Sequence, residues 1–172
     1  MSEHDRPEFR GRPEPAAGDG WASLCDQLIV LGDDLAGIFE RVCRSSDVTL
    51  IQFRVLQLLG RLAPQAQEPW QLAQVLGIGS NHITMVLDRL EADGRVTRGP
   101  HPSDGRRRLV TMTASGADRV AAISARVHAV EQQLVADALT DDQQLQLQRL
   151  SAQLRHAIRE RVIPEGTVRL GP

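Results

Sequence analysis

Apolar positions along this 172-residue chain recur mostly at intervals of three and four, the spacing of a buried helical stripe. The first stripe runs Trp21, Leu24, Cys25, Leu28, Leu31, Leu35, Ile38, Phe39 and Val42 and predicts a helix over 21–44, with Ile29, Val30 and Ala36 widening its apolar surface. A helix this long at the edge of a small lobe needs a partner helix elsewhere. Thr49 caps a second helix through Leu50, Phe53, Leu56, Leu59 and Leu62, which Pro64 and the polar run 65–68 end. Pro69 suits the first turn of a short helix whose core face is Trp70, Leu72, Ala73 and Leu76. After Gly77-Ile78-Gly79, a helix over 80–92 turns Ile83, Val86, Leu87 and Leu90 inward, with Asn81, Thr84, Met85 and Asp88 outward and His82 and Arg89 on the flank. Alternation over 95–98 and 109–113 predicts two antiparallel strands joined by a loop at 99–108 holding prolines and glycines. Thr113 then caps a long helix carrying Val120, Ile123, Val127, Val130, Leu134 and Ala138. A capping box, Thr140-Asp141-Asp142-Gln143, opens a last helix with Leu147, Leu150, Leu154, Ile158 and Val162, which Pro164 stops.

Over 72–113 the order is short helix, three-residue turn, longer helix and an arginine-tipped hairpin. That order is a winged helix-turn-helix, and it makes double-stranded DNA the first partner to consider. The expected fold class is mainly α with a small β-wing: a winged lobe at 48–113 and long N- and C-terminal dimerisation helices at 20–46 and 114–163. Residues 1–19, broken by Pro7, Gly11, Pro13 and Pro15, are expected to be a disordered arm ahead of a single domain at 20–172. The chain has no Tyr, two Trp and three Phe, so its core must be aliphatic.

A net charge of -2 gives no global attraction to nucleic acid, so a DNA footprint must come from local segregation. Residues 95–108 hold five arginines and one acid, and such a knot on a hairpin suits a narrow, negative minor groove. All basic residues are arginine, so every phosphate or groove contact is a guanidinium fork. On the helix over 80–92, Asn81 can pair bidentately with adenine, Thr84 can touch a thymine methyl and Ser80 can meet phosphate through its backbone N–H. His82 and Met85 complete that face; Arg89 can reach phosphate or pair with Asp93, four residues on. Arg98, Arg106, Arg107 and Arg108 are the candidates from the hairpin. Because Arg107 and Arg108 alternate, one of them turns to solvent or to a carboxylate.

Catalytic and metal chemistry find no foothold. The histidines His4, His82, His101, His128 and His156 show no ligand spacing, the cysteines form no Cys-x-x-Cys, and no phosphate-binding glycine loop or nucleophile motif occurs. The expectation is a non-enzyme with no cofactor and no metal. No stretch approaches a membrane span and the N-terminus is polar and acidic, so a cytoplasmic protein with Cys25 and Cys43 as reduced thiols is expected. A non-specific architectural DNA binder is a competing reading, at odds with the acidic balance.

Thr49, Gln52, Phe53, Val55 and Leu56, then Leu72-Ala73, Leu76-Gly77, Thr84, Leu87-Asp88-Arg89-Leu90-Glu91, Gly94, Val96, Arg98, Asp104, Arg106, and Leu109-Val110-Thr111-Met112-Thr113 with Gly116, resemble the MarR family of winged helix-turn-helix transcriptional regulators. The likeness is close over about 48–118; the flanking helices agree in order and length. It implies a homodimer of interlocked terminal helices whose two lobes read a pseudo-palindromic operator, as a ligand-responsive repressor. It also implies a small aromatic or anionic effector bound between dimer helices and lobe. By the same resemblance Asp104 orients the wing and Arg106 enters the minor groove. Similar proteins commonly place Ser at the recognition-helix cap, followed by Arg, and another basic or polar residue after the central threonine, whereas this chain has Gly79, Ser80 and Met85 there, so base contacts are not carried over. The walls available to an effector are aliphatic and serve equally as core, so no ligand-binding residue is assigned. Cys25 stands where organic-hydroperoxide regulators of this family carry their sensing cysteine, which makes a redox-sensing regulator the alternative. The tyrosines those relatives use are missing, and on its apolar stripe Cys25 is expected to pack as a small hydrophobe.

Overall fold

A computed structural model describes residues 23–161, so the N-terminal arm, Trp21, Val162 and Pro164 lie outside the described residues. The order is α1 (Leu24–Arg44), α2 (Leu50–Leu62), α3 (Pro69–Leu76), α4 (Ser80–Ala92), β1 (Val96–His101), β2 (Asp104–Met112), α5 (Ala114–Ala138) and α6 (Asp141–Arg161). The fold is mainly helical with a two-stranded wing. Hydroxyl caps set the starts of α1, α2, α5 and α6. Thr49 Oγ1 accepts from Gln52 N at 3.3 Å while Gln52 Oε1 accepts from Thr49 N at 2.8 Å. Thr113 Oγ1 accepts from Gly116 N at 3.0 Å, and Thr140 and Gln143 close the last box. Gly77 ends α3 in the left-handed region at φ 66°, where a side chain would be strained, and Ile78 N reaches back to Ala73 O at 3.1 Å.

The lobe's core is the aliphatic cluster Val55, Leu56, Leu59, Leu72, Ala73, Ile83, Val86, Leu87, Leu90, Val96 and Val110, drawn from α2, α3, α4 and both strands. Gln67 adds a one-residue third strand at the base of the wing, exchanging backbone hydrogen bonds with Val110 at 3.0 and 2.8 Å. A second cluster, Cys43, Val48, Phe53 and Ile123, joins the end of α1 to α2 and α5. Lobe and α5 meet where Thr113 N donates to Arg95 O at 3.1 Å, above a glycine that admits no side chain: a Cβ on Gly116 would lie 2.2 Å from Arg95 O.

Three expectations need correction. Trp70 is 53% exposed, because on α3 it lies roughly 200° from the buried Leu72 and so outside the core face. The strands are longer than the alternation implied, and Gly99, Pro100 and Arg108 pair within them rather than forming loop; on a two-stranded sheet Pro100 can turn its missing donor outward. The apolar stripe of α1 is buried only near Cys43, while Leu24, Cys25, Leu28, Leu31 and Leu35 are exposed. Leu147, Leu150, Leu154 and Ile158 on α6 are exposed in the same way.

Candidate nucleic-acid interface

Helix α4 buries Ile83, Val86, Leu87 and Leu90 and leaves Ser80, Asn81, His82, Thr84, Met85, Asp88 and Arg89 on its exposed side. Gly79, not Ser80, is the N-cap, so the helix starts without a side-chain cap on its first amides. Thr84 Oγ1 donates back to Ser80 O at 2.9 Å, which leaves the Thr84 methyl outward. Met85 is 71% exposed.

Wing arginines divide into two groups. Arg95 is buried: Nη1 donates to Asp47 O at 3.1 Å and sits 3.4 Å from Asp93 Oδ2. Arg98 folds back on α4, with Nη1 at 2.6 Å from Asp88 Oδ1 and 3.1 Å from Glu91 Oε2, and Nη2 at 3.4 Å from Thr84 O. Arg107 crosses to the start of α3, where Nε donates to Glu68 Oε2 at 2.7 Å and Nη2 donates to Glu68 Oε1. The Arg107 hydrogen bonds hold the Glu68 carboxyl below its ordinary range; burial opposes them, and the Trp70 side chain and the charges of Arg107 and His101 assist.

Arg106 and Arg108 make up the second group, and both are exposed. Pro100 pairs with Arg108 but His101 pairs with Asp104, so Gly105, Arg106 and Arg107 bulge from β2. Asp104 Oδ1 accepts from Arg106 N at 3.0 Å and shapes that bulge. Among the described residues the Arg106 guanidinium has no partner, while Arg108 Nη1 reaches only Gly105 O at 3.5 Å. The cationic knot read from the sequence therefore narrows to the tip, because Asp93, Asp88, Glu91 and Glu68 engage the other arginines. Arg89 lies 3.4 Å from Asp93 and stays largely exposed.

The sequence anticipated the Arg89–Asp93 pair and a turn to solvent or a carboxylate for one of Arg107 and Arg108, but it did not name Asp88, Glu91 or Glu68 as arginine partners. Asp88 and Glu91, three apart on one helix, offered a signal; Glu68 offered none, since it is thirty-nine residues from Arg107. Away from the lobe, Cys25 is exposed rather than packed, because among the described residues nothing covers the first half of α1. Cys43 is the buried thiol, pushed up to about 11 by burial and by the Glu40 charge. Among the described residues no helix is long and apolar enough to cross a membrane.

Residues 48–107 match the MarR family model, spanning α2 to the arginine-tipped wing. The chain carries a MarR-family domain. The multiple antibiotic resistance protein MarR of Escherichia coli (strain K12) is 39% identical over 71 residues, 41% of this chain and 48% of that protein, so the match spans about half of the curated relative. The apo crystal structure of E. coli MarR agrees over more of the chain, with a TM-score of 0.68 and 28% identity across 77% of this chain and 96% of that one. The crystal structure of the S. aureus MepR–DNA complex has a TM-score of 0.69 at 18% identity, covering 78% and 98%. CouR from Rhodococcus jostii RHA1 bound to p-coumaroyl-CoA has 0.65 at 21%, covering 77% and 92%. The last two share the fold. In the terms of that fold α3 and α4 form the helix-turn-helix and β1–β2 form the wing.

Proposed function

We propose that this chain is a sequence-specific DNA-binding transcriptional regulator that acts as a homodimer on a pseudo-palindromic operator. The observation that carries the reading is the division of the wing arginines. Carboxylates hold Arg95, Arg98 and Arg107 within the lobe, while Arg106 and Arg108 are left outward on a hairpin that Arg98 anchors to the recognition helix. A free guanidinium on such a bulge gains most in a narrow minor groove. The exposed α4 face then lies against the major groove, with its uncapped first amides toward phosphate. Ser80, Asn81, His82, Thr84, Met85, Arg89, Arg106 and Arg108 touch DNA; Arg98, Arg107 and Asp104 serve it by positioning. The shared fold of the MepR–DNA complex supports the docking mode.

The dimer reading rests on the exposed leucines of α1 and α6, whose stripes have the helical spacing of a buried interface. Helices α1, α5 and α6 are then the dimerisation helices around a lobe at 48–113, and with an intracellular DNA target the protein acts in the cytoplasm. Control by a small aromatic or anionic effector, and with it a repressor role, is the remaining part of the proposal. CouR with its bound CoA ester supports it. The test is a gel-shift titration of the full chain on its own promoter against random DNA at fixed salt. Preferential binding to the promoter is expected; equal affinity for both sinks sequence-specific regulation in favour of an architectural binder.

A further inference from the structure

We infer that the operator half-site has an A·T core, read through one adenine contact and through thymine methyls. This rests on the DNA-binding reading above and adds the class of base pair that α4 selects. With Asn81 as reference, a helix places Met85 at roughly 40°, Asp88 at roughly -20° and Thr84 at roughly -60°, so these four share the strip that faces base edges. His82 and Arg89 stand at roughly 80° to 100°, on the flank that meets the sugar-phosphate wall.

Guanine is most often read by an Arg or Lys fork on O6 and N7. The strip carries neither residue. The guanidinium that reaches it, Arg98, is engaged by Asp88, Glu91 and the Thr84 carbonyl. The same ion pair occupies Asp88 Oδ1 at 2.6 Å and offsets a negative charge that would otherwise face the DNA. What remains is one amide and two apolar groups. Asn81 is exposed and its amide has no hydrogen bond among the described residues, so it can offer the acceptor and donor that adenine N6 and N7 require. The Thr84 hydroxyl is turned back to Ser80 O, which leaves its methyl outward, and Met85 is an exposed thioether chain with no core role. Both complement the 5-methyl of thymine rather than a polar base edge.

The experiment selects duplexes from a random library with the full-length protein, then measures fluorescence anisotropy on the selected site. A·T pairs are expected at the half-site core. Replacing core thymines by uracil, which lacks the 5-methyl, is expected to weaken wild-type binding roughly fourfold per contacted methyl. In the Thr84→Ser, Met85→Ala double variant thymine and uracil sites are expected to bind equally. Thr84→Ser keeps the hydroxyl, and neither change removes a buried atom. Selection of a G·C core, or wild-type binding unaffected by uracil, overturns this inference and leaves the regulator reading standing. No enrichment of any sequence overturns the regulator reading and this one with it.

Discussion

Arg106 and Arg107 are neighbours of identical chemistry with different surroundings. Arg107 is drawn to a Glu68 carboxylate that is nearly buried at the start of α3, while Arg106 rides the bulge that Asp104 shapes. Arg106→Ala is therefore expected to weaken operator binding about tenfold or more, with oligomeric state unchanged, since a groove-inserted cation is lost and no core atom is. An unaltered anisotropy curve at fixed salt would remove Arg106 from the interface. Glu68 adds a pH dependence. Its carboxyl is depressed below the ordinary 4.5, so the pairing stabilises the fold above that value and is lost as pH falls through the depressed one. Glu68→Gln should lower the melting midpoint at pH 7, and the gap to wild type should close as the buffer is taken below that range. A constant gap across the titration would mean that the charge of Glu68 contributes nothing.

At the level of elements, the wing is held at three places: Arg98 on α4, Arg107 on α3 and the Gln67–Val110 bridge. The sequence showed the hairpin but put ten residues in its loop, because Gly99, Pro100, Pro102 and Gly105 read as breakers. Pro102 and Ser103 form the turn and Gly105, Arg106 and Arg107 the bulge, while cross-strand pairing outweighs the local preferences of Gly99 and Pro100. The junction to α5 depends on Gly116. A methyl there meets the Arg95 carbonyl and the Met112 side chain, so Gly116→Ala should destabilise the chain by about 1–3 kcal/mol despite the helix propensity it gains. Urea unfolding measures this; a variant as stable as wild type would show that α5 can shift away from the wing.

For the molecule as a whole, α1 and α6 carry apolar stripes that stay exposed among the described residues, and the proposed dimer is the arrangement that covers them. Leu150 is 53% exposed, so Leu150→Glu removes no buried intrachain contact. It is expected to shift the protein to monomer in light scattering and to weaken operator binding with it; an intact dimer would take α6 out of the interface. For the wild-type dimer, on the order of six to ten phosphate contacts predicts a steep fall of affinity with salt, with a log–log slope of about -5 to -9. A shallow slope would contradict a two-lobe footprint.

Helix number, caps, the helix-turn-helix and the hairpin followed from the sequence alone, because each is a local matter of period, capping chemistry and turn residues. So did the family resemblance, which rests on short motifs within 48–118. Which arginines stay free did not follow, nor that Trp70 is exposed and Cys43, rather than Cys25, buried. Those outcomes turn on pairings between residues as far apart as Glu68 and Arg107 and on which helix face finds a neighbour. Such pairings exist only once the chain has closed around its core.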